Sequence, residues 1–306
     1  MSPDAREGEI VGVNWGSSNF RAYRIAADGR LLEEYSEAAG VTSLDREGMA
    51  AMLRKLAARW PMHGPVYASG MIGSNIGWME VPYAEAPAGC GELAQGVRPA
   101  NIGGVDVRIV PGIACRRAFD GAPDILRGEE IELLGLMGED RATGLAALPG
   151  THTKWVRLDR GRVVDFFTAM SGEMFDRLTA QGLLAAIIEG EATDGTAFLE
   201  GVATAQARKL GLGTLLFGAR ARVVRGALRR SDASSYIRGL LIGAEIADAL
   251  TAYPGLAREK VPLTGSGPLS RLYASALAAN GIESQIIESR EACVRGFRVL
   301  HQMRHP

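Results

Sequence analysis

The sequence predicts an α/β protein of two domains with related topology, and three observations carry that prediction. A strand–turn–hairpin unit occurs twice, as IVGVNWGSSNFRAYRIAADGRLLEEY from Ile10 to Tyr35 and as LAALPGTHTKWVRLDRGRVVDFFTAM from Leu145 to Met170. Gly16 and Gly150 mark the first turn of each copy, and Gly29 and Gly161 the second. Strands alternate with helical segments along the chain, which argues for α/β layers rather than a bundle. The 306 residues, 47% apolar and 23% charged, suit two ordinary domains with substantial cores. A distant internal repeat then reads as one topology used twice, with a boundary in GEDRATG near residue 141: an N-terminal domain 1–141 and a C-terminal domain 142–306.

The elements follow in order. Residues 10–14 read as a buried strand, because Ile10, Val11 and Val13 are β-branched. The segment 45–60 places Met49, Met52, Leu53 and Leu56 on one helical face, and Pro61 and Gly64 end it. PVYASGM is a short strand running into a loop. The stretch 70–104 is rich in Gly and Pro and reads as a long ordered loop, of the kind that usually carries function. Residues 105–113 form another strand, and 128–138 a helix with two carboxylates in its first turn, where the helix dipole favours them. Residues 173–258 are mostly helical, with breaks near Gly190–Asp194, Gly211–Gly213 and Ser231–Ser234. VPLTGSGPLSRLYASALAAN then reads as strand, Gly-Ser-Gly turn and helix, followed by a last strand and a closing helix.

Composition narrows the function. The formal net charge is −1, and no basic, aromatic-interleaved tract argues for nucleic acid. The arginines at 220, 222, 225, 229 and 230 read as a solvated helix face. Three spaced cysteines and four histidines give neither a disulfide framework nor zinc spacing. The polar N-terminus and the lack of any long uncharged apolar run predict a soluble, cytoplasmic protein with no membrane span. The pattern leaves a homodimer open.

Four constellations can carry chemistry. In Asn14-Trp15-Gly16-Ser17-Ser18-Asn19, with Arg21 beyond, small residues let the backbone approach a phosphate and the side chains add donors. An ordinary β-turn is the plain alternative. Pro149-Gly150-Thr151-His152-Thr153-Lys154 offers two hydroxyls and a lysine beside a glycine, although it is no Walker loop. There His152 also reads as a locally bonded loop histidine, and Lys154 as a solvated strand residue. Gly265-Ser266-Gly267 before a helix suits a nucleotide, or simply joins strand to helix. Asp124, Glu129 and Glu130 supply carboxylates of the kind that accept a hydroxyl proton or orient magnesium in phosphoryl transfer. At a helix start they also serve as dipole partners.

These motifs appear in the order found in the actin-like superfamily of sugar kinases, hexokinases and chaperone ATPases. NWGSSNFRAY, GMIGSNIGW with VPY, RGEE followed by LLG, PGTHTKWVRL with a downstream SGE, and GSGPLSRLYASAL together resemble the 2-dehydro-3-deoxygalactonokinase family over nearly the whole chain. The resemblance implies a two-lobed actin-like, ribonuclease H-like fold with a central cleft. It further implies ATP and Mg²⁺ as cofactors, and phosphorylation of the 6-hydroxyl of the sugar acid 2-dehydro-3-deoxy-D-galactonate. Gly16 to Asn19 and Gly150 to Thr153 would hold ATP phosphates, Gly265 to Gly267 would border the adenosine, and the RGEE acids would face the phosphoryl acceptor, with Glu129 as base. Ser69, Gly70, Ser74 and Asn75 would line the sugar-acid pocket. Two positions depart from the pattern. The superfamily places Asp where this chain has Asn14, a weaker magnesium partner, and Asn75 stands where an Arg fork would suit a carboxylate. A catalytically weakened sensor of nucleotide or sugar acid, or a phosphoanhydride phosphatase on the same fold, are the competing expectations.

Overall fold

The computed structural model describes residues 8–60, 64–138, 142–207, 210–265 and 267–305. The expectations for Pro61, for the boundary near 141 and for Ser266 fall outside them. Two compact units result: Met1–Thr143 with Arg157–Phe166 and Ser289–Pro306, and Gly144–Val156 with Phe167–Glu288. A single cut between 141 and 142 does not describe these units, because the C-terminal helix and a hairpin tip belong to the first.

The first unit opens with β1 (Ile10–Trp15), β2 (Phe20–Ile25) and β3 (Leu31–Glu37), followed by α1 (Arg46–Arg59) and β4 (Val66–Gly70). Next come β5 (Ala84–Glu85), β6 (Ala88–Gly89), α2 (Cys90–Gly96), β7 (Arg98–Ile102) and β8 (Val105–Ile109). β9 (Ile113–Arg116), β10 (Pro123–Leu126) and α3 (Glu129–Met137) complete it. The stretch 70–104 therefore holds short strands and a helix rather than one long loop. Its main sheet has the order β3-β2-β1-β4-β8-β7, and β10-β9-β5 form a second, smaller sheet. β1 is antiparallel to β2, with Asn14 opposite Arg21, and parallel to β4, with Asn14 opposite Ser69 and Trp15 opposite Gly70. The central strands are apolar because both faces are covered: Ile10, Val13, Trp15 and Phe20 are fully buried. α1 lays Met49, Met52, Leu53 and Leu56 on this core, and the Asp45 carboxylate caps it by accepting from Gly48 N.

The C-terminal helix, Ser289–Arg304, packs on α3 at backbone contact. A Cβ on Gly296 would lie 1.9 Å from Ile131 O, and one on Gly135 1.9 Å from Ala292 O. These two glycines place a helix from the far end of the chain beside the acids of α3.

The second unit contains β11 (Gly144–Leu148), the start of β12 (Thr153–Asp159), the end of β13 (Arg162–Ala169), α4 (Ser171–Ala180) and α5 (Thr196–Gln206). α6 (Leu212–Val224), α7 (Arg230–Ala252), β14 (Lys260–Gly265), α8 (Gly267–Ala278) and β15 (Glu283–Glu288) follow. Its strand order, β13-β12-β11-β14-β15, repeats β3-β2-β1-β4-β8 of the first unit. β14 runs parallel to β11 and to β15. The copies differ in what joins the third strand to the fourth: α1 in the first, α4 to α7 in the second. Ser231–Ser234 lies inside the first turn of α7, where Asp232 accepts from Arg229; the helix break falls just before it. Among the described residues no helix is long and apolar enough to cross a membrane.

The helix contact makes a direct test. Gly296→Ala forces a methyl into the Ile131 carbonyl, and backbone overpacking of this kind costs on the order of 1–3 kcal/mol or more. Its thermal midpoint is expected to fall by about 5 °C or more, given the few degrees per kcal/mol typical of larger domains. A scanning-calorimetry midpoint equal to that of the parent would contradict the packing.

Candidate functional site

The first turn is a set of carbonyls tied back into the protein. Gly16, Ser17, Ser18 and Asn19 oxygens accept from the amides of Val41, Thr42, Gly40 and Gly16, at 2.9 to 3.2 Å. Gly40 is needed for this approach, since a Cβ there would lie 2.0 Å from Ser17 O. Among the described residues no carbonyl accepts from the N–H groups of Ser17, Ser18 or Asn19, and these three residues are exposed. Successive free amides of this kind form an anion-binding concavity.

Asn14 ends β1 beside this turn. Its Nδ2 donates to Cys293 Sγ at 3.7 Å, and a Cβ on Gly128 would lie 3.8 Å from its Oδ1 and 3.4 Å from Gly70 Cα. Asn14, Gly70 and the start of α3 are thus brought together, with Gly70 at φ +93° and Gly128 at φ +112°, conformations that glycine adopts without strain. Ser69 is fully buried and donates to Val13 O at 3.4 Å. Ser74 closes its own short turn by donating to Met71 O at 2.7 Å, and Asn75 is exposed.

The acids of α3 separate into different environments. Glu129 is half-buried, and its Oε2 accepts from Arg127 N at 3.0 Å. Glu130 is fully buried; its Oε2 accepts from Gly128 N, while Oε1 has no partner. Burial pushes its carboxyl up to about 8, against the Gly128 hydrogen bond. Glu132, which sequence reasoning passed over, accepts from Ser289 and Cys293 of the C-terminal helix. Burial lifts it to about 7 despite the Ser289 hydrogen bond and the Arg21 charge. Its signal lay in the spacing, three residues after Glu129 on one helix face. Asp124 is not with this group: it stands on β10, opposite Cys115, in an ion pair with Arg117 at 3.7 Å. Arg127 braces the 71–83 segment, with Nη2 donating to Val81 O at 2.8 Å and its guanidinium 4.1 Å from the Tyr83 ring centroid.

The second turn is built in the second unit. Thr151 O accepts from Glu173 N at 2.9 Å, and the start of α4 comes so close that a Cβ on Gly172 would lie 2.3 Å from Gly150 O. No carbonyl among the described residues accepts from the amides of Thr151 or His152, both exposed. His152 Nε2 pairs with Glu173 Oε2 at 2.6 Å, a contact that holds the Glu173 carboxyl below its ordinary value. Lys154 is buried rather than solvated; Nζ donates to Thr168 Oγ1 at 3.0 Å and meets no carboxylate among the described residues. Thr153 is fully buried and accepts from Gly150 N at 3.4 Å. The third motif joins the second: a Cβ on Gly265 would lie 2.6 Å from Pro149 O, and α8 begins at Gly267.

The chain resembles known proteins over most of its length. A family model described as 2-keto-3-deoxy-galactonokinase matches residues 14–300. A Rhizobium meliloti protein assigned as a 2-dehydro-3-deoxygalactonokinase is 36% identical, over 95% of this chain and 95% of its own. The 2-dehydro-3-deoxygalactonokinase of Escherichia coli is 32% identical over 94% and 96%. The crystal structure of a Sinorhizobium meliloti protein assigned to the same activity superposes with a TM-score of 0.88 at 34% identity, covering 97% of this chain and 99% of that one. A Porphyromonas gingivalis protein assigned as an N-acetylglucosamine kinase shares the fold, with a TM-score of 0.50 at 14% identity over 94% and 98%. The α/β fold is that of the actin-like sugar kinases.

The buried acids predict a pH dependence. Glu130 binds its proton more tightly folded, at about 8, than at the ordinary 4.5. Its contribution to stability is therefore complete below about 4.5 and is lost as the pH rises through about 8. Glu130→Gln, which resembles the protonated acid, is expected to gain thermal midpoint relative to the parent as the pH rises across this window. Parallel curves of midpoint against pH would contradict this.

Proposed function

The chain belongs to the 2-keto-3-deoxy-galactonokinase family, and from that premise we propose that it transfers the γ-phosphoryl group of ATP to the 6-hydroxyl of 2-dehydro-3-deoxy-D-galactonate. The observation that carries the reading is the pair of turns after β1 and β11. In the first, the Gly16, Ser17 and Ser18 carbonyls accept from the 40–42 backbone; in the second, Thr151 O accepts from Glu173 N. The amides of Ser17, Ser18, Asn19, Thr151 and His152 meet no carbonyl among the described residues, and the two sheets share one strand order. Gly16 to Asn19, with Arg21, and Gly150 to Lys154 hold the phosphates, and Gly265 to Gly267 border the adenosine. Ser69, Gly70, Ser74 and Asn75 line the sugar-acid site, beside the start of α3. A cytosolic location, where ATP is available, belongs to the same reading. The full-length relatives are named as kinases, which disfavours the sensor and phosphatase alternatives.

Phosphoryl transfer depends mainly on positioning and on neutralising charge. Glu129 is the base in this reading. Its Oε2 is oriented by Arg127 N, which leaves Oε1 to accept the proton of the attacking hydroxyl. Glu130 is held near neutrality by burial and fixes Gly128 instead. The residues also fit a magnesium ion that arrives on ATP. Among the described residues no three acidic, histidine or cysteine side chains group as a metal site, and Mg²⁺ commonly keeps its waters and takes one or two protein oxygens besides the phosphates. Asn14 Oδ1 would be such an oxygen, and the ion would neutralise phosphate charge.

Three measurements test this. ADP release is expected with ATP, Mg²⁺ and 2-dehydro-3-deoxy-D-galactonate, and its absence would refute the assignment. Glu129→Gln is expected to lower kcat by roughly two to four orders of magnitude with a nearly unchanged KM for the sugar acid; a parent-like kcat excludes it as base. Asn14→Asp is expected to lower the Mg²⁺ concentration needed for half-maximal rate and also the thermal midpoint, since it sets a second carboxylate near Glu132. No change in either would remove Asn14 from the metal's surroundings.

A further inference from the structure

A fully buried carboxylate lies behind the second turn, outside every motif discussed above. Glu245, in the middle of α7, accepts from Trp155 Nε1 at 2.7 Å, from Ser171 Oγ, and from Tyr273 Oη at 2.9 and 3.0 Å. Tyr273 Oη also lies 2.9 Å from Thr153 Oγ1, and Thr153 Oγ1 accepts from Gly150 N at 3.4 Å. Donor and acceptor chemistry fixes the direction of this chain. An ionised carboxylate only accepts, and a tyrosine hydroxyl has one proton. The Tyr273 proton therefore goes to Glu245, Thr153 donates to Tyr273, and the Thr153 oxygen turns a lone pair to the Gly150 amide. Four elements converge on the carboxylate: β12 through Trp155, α4 through Ser171, α8 through Tyr273, and α7 itself. Ser171 also begins the segment Ser171–Glu173 that packs on Gly150 and Thr151.

We propose that Glu245 is a positioning residue for the Gly150–Thr153 turn, acting through Tyr273 and Thr153 to hold the turn in the geometry that binds ATP phosphates. The assignment rests on the kinase reading for the ligand, and on the hydrogen-bond chain for the role. Such a buried network ties turn geometry to one proton. When Glu245 takes up a proton, one of its three donors must turn round to accept, and only the Ser171 and Tyr273 hydroxyls can do so. If Tyr273 turns, it donates to Thr153, and the chain reverses. Burial brings Glu245 to about 7 against its three hydrogen bonds. The titratable and charged groups facing it are Tyr273 on α8, with Arg238 and Asp248 on its own helix.

Calorimetric titration of ATP with Mg²⁺ tests the role without requiring turnover. Glu245→Gln places an amide N–H₂ among donors, and Tyr273→Phe removes only the arm to Thr153. Each is expected to raise the Kd for ATP by about tenfold, the scale of one lost buried hydrogen bond, while the KM for the sugar acid stays at the parent value. The ratio of Glu245→Gln to parent Kd, in which ATP's own titration cancels, is expected to shrink as the pH falls through about 7. A lowered thermal midpoint with parent-like ATP affinity in the folded variants, or equal weakening toward both ligands, would overturn the proposal and leave a merely structural network. Parent protein that binds ATP but phosphorylates no sugar acid would refute the kinase reading and leave the comparison of Kd values intact.

Discussion

Everything proposed for this chain depends on how two short turns satisfy their carbonyls. A turn offers its amides to an anion only if its oxygens are engaged elsewhere, because a turn that folds on itself consumes both. After β1 the Gly16, Ser17 and Ser18 carbonyls are engaged from outside, by the backbone of Gly40, Val41 and Thr42, while Asn19 O takes only the Gly16 amide. The approach works because residue 40 has no side chain to meet Ser17 O. After β11 the partner is the start of α4, with Gly172 making the close approach and Glu173 N taking Thr151 O. The chemistry is the same and the supporting element is different. The two copies diverged in the connection after the third strand while keeping the strand order that fixes the turn.

The acids show a second constraint, the cost of burying charge. α3 carries its acids in the first turn, where Glu130 is fully buried and Glu129 and Glu132 only partly so; desolvation pushes Glu130 and Glu132 toward neutrality. The C-terminal helix, seated on α3 through Gly135 and Gly296, encloses Glu132 and supplies Ser289 and Cys293 to it. Division of labour among neighbouring carboxylates follows from exposure rather than residue type.

Much of this was legible in the sequence because it is local. The two hairpins, α1 with its four apolar positions, and the strand–turn–helix around Gly265 each declare themselves by spacing within a dozen residues. What escaped is pairing between distant segments. Nothing in EACVRGFRVLHQM says that Gly296 meets Ile131, and spacing alone does not attach the closing helix to the first unit. The 70–104 stretch hid α2 and three short strands because its glycines and prolines dominate so short a window. Asp124 read as an acid near a helix start, but a strand register sets it beside Arg117. Glu245 was invisible for the same reason: GLLIGAEIADAL shows an acid on an apolar helix, and only the fold brings Trp155, Ser171 and Tyr273 to it.

Amide hydrogen exchange read by mass spectrometry, with and without ATP and Mg²⁺, tests the central claim most directly. Free amides that bind phosphate must slow when it arrives, whereas amides already bonded in strands change little. The account predicts new protection in peptides covering residues 16–20 and 150–154, with 264–268 following through the adenosine. Saturating nucleotide that leaves exchange at both turns unaltered would contradict it.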